Sequence, residues 1–212
     1  KKSWINEHLN HFIARLNNEG HKVDWVHDGG SIQDGDILFL LSFWSLLPEK
    51  HLQTHTQNLV VHESDLPKGR GWSALTWQII EGKNEIPVCL FEAVNTVDAG
   101  PIYLRDEIKL EGHELLNEIR DQQSKATIVL CLDFVKNYPE ICAKRVHQKG
   151  QASYYQKRTP EDSRINLSKT IKENFALLRT VDNEIYPAYF ELNGHTYSLK
   201  IEKISPNNES TT

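Results

Sequence analysis

Residues 58–100 read NLVVHESDLPKGRGWSALTWQIIEGKNEIPVCLFEAVNTVDAG, and two apolar strands in this stretch each empty into a loop carrying one titratable residue. Leu59, Val60 and Val61 form a β-branched run that stops at His62. A polar loop punctuated by Gly and Pro, Glu63 to Gly71, follows at once. The spacing then predicts a helix: Ser73 is the N-cap candidate, Leu75, Trp77, Ile79 and Ile80 supply the apolar side, and Gly82 stands where a left-handed cap would end it. The next strand, Ile86 to Phe91, opens into Asn95-Thr96-Val97-Asp98-Ala99-Gly100. In a parallel sheet His62 and Asp98 would lie on neighbouring strand-end loops, the edge at which open α/β sheets bind ligands.

The run His62-Glu63-Ser64-Asp65-Leu66-Pro67-Lys68-Gly69-Arg70-Gly71 resembles the H-x-S-x-L-P-x-x-R-G loop of the folate-dependent formyltransferases. That family includes methionyl-tRNA, glycinamide ribonucleotide and sugar-nucleotide N-formyltransferases. Val97-Asp98-Ala99-Gly100 is similar to its second signature, an aspartate-x-glycine, here 36 residues after His62. Tyr154 to Asn166, YYQKRTPEDSRIN, resembles the Y-x-P-(K/R)-x-T-x-E-(D/E)-x-x-I-D-W segment of the tRNA and sugar branches. Ser42-Phe43-Trp44-Ser45-Leu46-Leu47-Pro48 resembles the family's Y-G-x-x-L-P stretch, where backbone groups meet the pterin of the folate.

The resemblance implies an α/β, Rossmann-like formyltransferase fold with a mostly parallel central sheet flanked by helices. It implies N10-formyltetrahydrofolate as co-substrate, and His62 and Asp98 as catalytic residues. Phe43, Trp44, Leu46, Leu47, Val94, Val97 and Asp98 are the candidates to meet the folate. Ser64, Lys68, Gly69, Arg70, Trp72, Tyr154, Tyr155 and Lys157 are the candidates to meet the acceptor. One position departs from the pattern. The family writes its catalytic trio N-x-H with a distant Asp, and this sequence has Val60 where the asparagine stands. Asn58 falls on the same strand face, about 6–7 Å further back, and is the asparagine candidate. The imidazolium, a backbone N–H of the Ser64–Gly71 loop and an ordered water are the other candidates for stabilising an oxyanion.

Formyl transfer to an amine needs a base for the amine proton and donors for the oxyanion of the tetrahedral intermediate. An imidazole titrates near neutrality and suits the base, and a nearby carboxylate can orient it or relay the proton. Each residue also has a plainer reading. A His at a strand end is commonly a structural hydrogen-bond partner, Lys68 and Arg70 are solvated loop cations or an anion clamp, and Trp72 is a packing residue or a stacking platform. His51 and His55 lie four residues apart with no third ligand evident, so no metal is expected. Gly29-Gly30 does not make a dinucleotide fingerprint, and no phosphate-binding P-loop occurs.

The 212 residues carry 24 Lys and Arg against 29 Asp and Glu, a net charge of −5 with no long basic run, which argues against a nucleic-acid surface. Three cysteines without a C-x-x-C spacing read as free thiols of a cytoplasmic protein. No signal-like or 18-residue apolar segment is present, so no membrane association is expected. Lys1 to Gly20 has helical periodicity, residues 22–27 read as a strand, and Ile37 to Leu41 is a continuous apolar run of a strand covered on both faces. A Rossmann-like sheet should start with a strand before that first helix, so the sequence given is expected to lack its first strand. Pro101 to Leu110 reads as a strand, Glu114 to Asn137 as a long helix. Thr170 with Glu173 fits a capping box, and Asn193-Gly194 is the strongest hairpin signal in the chain.

The expected organisation is a catalytic core over 1–145, a C-terminal subdomain of loop, helix and hairpin over 146–205, and a disordered tail over 206–212. The C-terminal hairpin edge offers a route to a homodimer. Among branches, the resemblance implies that a methionyl-tRNA enzyme would add a C-terminal barrel domain of about a hundred residues, whereas the sequence given runs only about 50 residues past Tyr155. The acidic balance and the 154–166 segment favour a UDP- or dTDP-linked aminodeoxysugar of surface polysaccharide synthesis as acceptor. The alternatives are a methionyl-tRNA or glycinamide ribonucleotide enzyme, or a non-catalytic folate or sugar-nucleotide binding protein.

Overall fold

The computed structural model describes residues 3–43 and 45–204. In chain order the elements are α1 (Leu9–Asn18), β1 (Gly35–Leu40), α2 (Glu49–Leu52), β2 (His55–His62), β3 (Arg70–Gly71), α3 (Ala74–Ile80), β4 (Glu85–Glu92), β5 (Ile102–Lys109), α4 (Leu116–Lys136), β6 (Tyr154–Tyr155), α5 (Ile171–Leu178), β7 (Ala188–Leu192) and β8 (His195–Leu199). A 3₁₀ turn at Trp4–His8 leads into α1. Across this turn and helix, Ile5, Leu9, Phe12 and Leu16 recur at steps of four, three and four, and all are buried. That spacing puts them on one face against the sheet. The Ser3 hydroxyl does not cap the first turn as a side chain; it donates 3.0 Å to Ser42 Oγ.

β1, β2, β4 and β5 form the central sheet in that order. The α/β class with flanking helices stands, but the pairing is mixed. β1–β2 is parallel, whereas β2–β4 and β4–β5 are antiparallel. The mostly parallel expectation therefore holds only for β1 and β2. The physical reason lies in β4, which comes off the short helix α3 reversed and pairs His62 with Cys89 and Leu59 with Glu92. Residues 22–27 are not a strand: β1 is an edge, and no sheet ladder among the described residues takes them in. β2 starts four residues earlier than the apolar run alone suggests, because polar His55, Thr56 and Gln57 can pair along the β1 edge.

Alternation along β4 explains its unbroken apolar run. Ile86, Val88 and Leu90 enter the main core with α1 and α4, while Cys89 and Phe91 turn to the other face and pack with Leu66, Ile102 and Val60. Both faces are covered, so both parities are apolar. Ile165, Leu178, Val181 and Ala188 make a separate small cluster under the β7–β8 hairpin. That hairpin turns at Asn193 and Gly194 with positive φ at both, as the Asn-Gly signal requires. The Thr170–Glu173 capping box is formed, with Thr170 N donating 2.7 Å to the Glu173 carboxylate. Ser73 is not a side-chain cap for α3, since its own backbone is left-handed at φ 55. Among the described residues no helix is long and apolar enough to cross a membrane.

A buried ion pair ties the sheet to the C-terminal helix. Glu114 accepts from the N–H groups of Glu111 (2.6 Å) and Gly112 (2.9 Å). Arg179, only 3% exposed, lies 3.5 Å from Glu114 and donates 3.1 Å to Asn84 Oδ1. Burial opposes ionisation of Glu114, yet these backbone donors and Arg179 outweigh it and hold the carboxyl below its ordinary pKa of 4.5. A depressed carboxylate contributes stability above its ordinary value and loses it as pH falls through the folded value. Glu114→Ala, which leaves Arg179 buried and unpaired, is expected to cost about 3–5 kcal/mol in urea unfolding at neutral pH. Glu114→Gln is expected to cost less and to flatten the acid limb of the stability–pH curve; an unchanged limb would refute this account of the pair.

Candidate active site

β2 delivers His62 to the sheet edge with its side chain on the face opposite Leu59 and Val61, and the residue is 8% exposed. Its Nε2 lies 2.8 Å from the carbonyl oxygen of Gly69. A carbonyl only accepts, so Nε2 carries hydrogen and the lone pair of the neutral ring is on Nδ1. The same Nε2 is 3.8 Å from Asp98 Oδ2. Asp98 Oδ2 in turn accepts from the Gly71 N–H at 2.8 Å. Asp98 has φ 48, a left-handed backbone that costs a non-glycine residue of order 1–3 kcal/mol and persists where the surroundings fix it.

The antiparallel course of β4 changes how the two residues meet. β4 ends at Glu92, opposite Leu59, three residues short of His62. The loop 93–101 must therefore travel back about 10 Å along the sheet to bring Asp98 to the histidine. Gly100 allows this by lying against the end of β4, where a Cβ would come within 1.8 Å of the Glu92 carbonyl oxygen. The sequence puts the two residues on neighbouring strand-end loops of a parallel sheet; in the structure His62 is the last residue of β2, and Asp98 comes to it from a loop that doubles back from the antiparallel β4.

A third segment completes the site. β3 pairs in parallel with β6, matching Arg70 to Tyr154 and Gly71 to Tyr155. Gly71 is essential there: its φ is +101, and a Cβ would meet the Tyr155 carbonyl oxygen at 2.3 Å. Ser153 Oγ accepts from the Gly69 N–H at 2.9 Å. Gln148 donates 2.8 Å to each of the carbonyls of Asp98 and Gly100 and accepts 2.6 Å from Arg70 Nη2. Arg70 Nη1 also reaches the Tyr154 hydroxyl at 3.4 Å, and its Nε is buried without a partner among the described residues.

The remaining candidates divide by exposure and by existing partners. Lys68, Trp72, Tyr154 and Lys157 are exposed, Tyr154 at 63%. Ser64 is buried and its Oγ has no partner among the described residues. Tyr155 is already engaged: its hydroxyl donates 2.9 Å to Glu81, and burial together with that carboxylate pushes its pKa up to about 12. Asn58 is buried too, and its Nδ2 donates 2.8 Å to the Leu52 carbonyl before β2. The structure thus gives Asn58 a partner at the end of α2 and, among the described residues, no bond to His62 or Asp98. Val60 packs against Leu66, Cys89, Phe91 and Ile102.

Because β1 and β2 are parallel, the chain leaving β1 at Leu41 emerges at the same sheet edge as His62. Phe43 and Leu46 are exposed there at 41% and 55%, Leu47 is buried, and Val94 and Val97 are half-buried. Trp44 lies outside the described residues. Among those described, no group of three or more His, Cys, Asp or Glu is placed to hold a metal ion.

Sequence reasoning missed Gln148, Ser153 and the environment of Glu63. Glu63 sits beside His62, its carboxylate accepts 2.7 Å from Gln123 Nε2, and burial raises its pKa while the neighbouring imidazole opposes the rise. Nothing in the spacing marks Gln148; only the polar character of its segment sets it apart.

The profile of the formyl transferase family matches residues 14–135, more than half of the chain. The chain belongs to the formyl transferase family. It is 31% identical over 135 residues to a methionyl-tRNA formyltransferase of Pseudothermotoga lettingae, covering 63% of this chain and 44% of the relative. A methionyl-tRNA formyltransferase of Lactobacillus johnsonii is 28% identical over 179 residues, 84% of this chain and 56% of the relative. The chain thus spans about half the length of these relatives. Among solved structures, a methionyl-tRNA formyltransferase from Clostridium thermocellum superposes with TM-score 0.78 at 20% identity, over 98% of this chain and 92% of that one. A 4-N formyltransferase from Francisella tularensis gives TM-score 0.63 at 21% identity, over 94% and 85%. HypX from Aquifex aeolicus in complex with tetrahydrofolic acid gives 0.78 at 18%, over 93% and 36%.

The close approach at Gly71 predicts a graded outcome. Gly82→Ala, at φ +92 with nothing within 4 Å of the new Cβ, is expected to cost about 1–2 kcal/mol from backbone strain alone. Gly71→Ala must in addition push β6 away, so its urea midpoint should fall further; equal midpoints for the two variants would refute the contact.

Proposed function

We propose that the chain transfers a formyl group from N10-formyltetrahydrofolate to the primary amine of a nucleotide-linked aminodeoxysugar. The observation that carries the reading is the buried His62 with Asp98 3.8 Å away at the edge where β2 ends, in a chain of the formyl transferase family. The amine nitrogen attacks the formyl carbon, the new C–N bond forms, and an oxyanion develops on the formyl oxygen. The bond to N10 then breaks, and the proton lost by the amine balances the one gained by N10. With Nε2–H turned to Gly69 and Asp98, Nδ1 of His62 is the base that takes the amine proton. Asp98 offsets the charge of the resulting imidazolium and, held by the Gly71 N–H, keeps the ring oriented. The folate would bind where Phe43, Leu46 and Leu47 leave β1, with Val94 and Val97 beside it.

Support for the acceptor is of two kinds. Arg70, whose Nη1 makes only a 3.4 Å contact to the Tyr154 hydroxyl, and the exposed Tyr154 beside it fit an anionic group attached to a ring system. The net charge of −5 fits a small acceptor better than a nucleic acid. The second reading, an acceptor amine on methionyl-tRNA, is favoured by the names of the relatives at 28–31% identity.

The deciding assay offers N10-formyltetrahydrofolate with a panel of UDP- and dTDP-linked aminodeoxysugars and with methionyl-tRNA, following folate release and the mass of the acceptor. One formyl group gained on a sugar is the expected result; formylation of methionyl-tRNA alone would replace it with the second reading. His62→Gln and Asp98→Asn should each reduce kcat by at least ~10²-fold with folding intact by circular dichroism, the scale of losing a general base or its partner. Near-normal turnover in either variant would overturn the assigned roles. Val60→Asn would restore the family's amide at that position. If no other donor serves the oxyanion, kcat rises by up to about 10²-fold, at a stability cost of about 1–3 kcal/mol for an amide placed among Leu66, Cys89 and Phe91; an unchanged kcat would show that the oxyanion already has its donors.

A further inference from the structure

We infer that Gln148 is a positioning residue that fixes the Asp98 turn and the Arg70 guanidinium in one frame, so that an acceptor anion held at Arg70 and the carboxylate at His62 are set together. The inference rests on the reading of His62 and Asp98 proposed above. A glutamine amide offers two N–H donors and one carbonyl acceptor, and here both donors and the oxygen are in use. The two donors go to the carbonyls of Asp98 and Gly100, each at 2.8 Å, and the oxygen accepts from Arg70 Nη2 at 2.6 Å. Turning the amide over would set its NH₂ against the guanidinium and its oxygen against two carbonyls. Only one orientation satisfies all three neighbours.

What the amide holds is a turn that needs holding. Asp98 is left-handed at φ 48, and Gly100 is pressed against the Glu92 carbonyl. Gln148 grips the backbone on both sides of Ala99, and among the described residues no other donor reaches these two carbonyls. From the opposite direction, the Gly71 N–H holds the Asp98 carboxylate. Arg70 and Gly71 are adjacent in the chain, so the loop that supplies this N–H also supplies the cation that Gln148 orients. The hydrogen bonds close a ring: Gln148 to the Asp98 backbone, Asp98 carboxylate to Gly71, Gly71 to Arg70 through the chain, and Arg70 back to Gln148. Arg70 Nη1 lies outside the ring, with only the 3.4 Å contact to the exposed Tyr154 hydroxyl, so an anion can engage the guanidinium there without breaking the ring.

The test compares the wild-type chain with Gln148→Leu, Gln148→Glu and, as a destabilised control away from the site, Glu114→Gln. The first readout, independent of activity, is amide hydrogen exchange at Gly71. Gln148→Leu is expected to speed it by roughly tenfold, the effect of about one hydrogen bond, beyond any change in the control. Gln148→Glu keeps the size and the Arg70 contact but sets an oxygen against two carbonyls, and should give the same loss. The second readout is formylation: kcat should fall and the acceptor KM rise, each several-fold, with the folate KM unchanged. Gly71 exchange in both Gln148 variants equal to that in the control would overturn the inference. Faster Gly71 exchange with no wild-type turnover on any acceptor would support the positioning role and count against the proposed function instead.

Discussion

One backbone amide holds the site together. The Gly71 N–H donates to Asp98, and it can do so only because residue 71 has no side chain where Tyr155 passes. A strand pair of two residues would contribute little by itself. Here it decides whether the carboxylate faces His62, because the same short segment is the hydrogen-bond partner of the Asp98 turn on one side and of β6 on the other. The histidine is then oriented by the Gly69 carbonyl, which accepts from its Nε2, with the Asp98 carboxylate 3.8 Å from the same nitrogen.

Burial around the pair shapes its electrostatics. Glu63 is held by Gln123 rather than by a cation, and burial favours its neutral form beside an imidazole that would favour its charged form. On the other side of β2, Glu92 accepts from the Asn58 N–H and from the Tyr103 hydroxyl, and burial raises its pKa too. Two half-buried carboxyls thus lie beside the strand that carries His62, with the imidazole near Glu63 and Arg145 near Glu92 as the positive charges that favour ionisation. Such groups are tolerated because each is hydrogen-bonded, the condition for keeping a carboxyl in an apolar setting.

Much of this was legible in the residues, and the failures have physical causes. α1, α4, α5, the β7–β8 hairpin and both strands bearing the pair follow from apolar periodicity, the capping box and the Asn-Gly turn, all of which are local. Strand direction is not local. The run Ile86 to Phe91 reads the same whether it is parallel or antiparallel, because both faces are buried. Residues 22–27 have the composition of a strand, but pairing requires a neighbour, and composition says nothing about neighbours. Facing direction alone makes Asn58 a candidate; the Leu52 carbonyl that takes its amide comes from the end of α2, which no alternation rule could supply. Gln148 and Ser153 became visible only when the polar segment after α4 was seen to fold back on the loop after β2.

The pairing of β3 with β6 joins residues 84 positions apart. Contacts of such long separation come at a loop-closure cost that is met before they give anything back, and they tend to form late. The sheet, α1 and α4 can assemble around a core drawn from residues 5–141. The geometry of the candidate site cannot, because the Gly71 amide is set only when Tyr155 arrives. A chain emerging from the ribosome would therefore hold a largely built sheet with an unfinished active site until the segment around residue 155 is free to dock, which separates the birth of the fold from the birth of the chemistry.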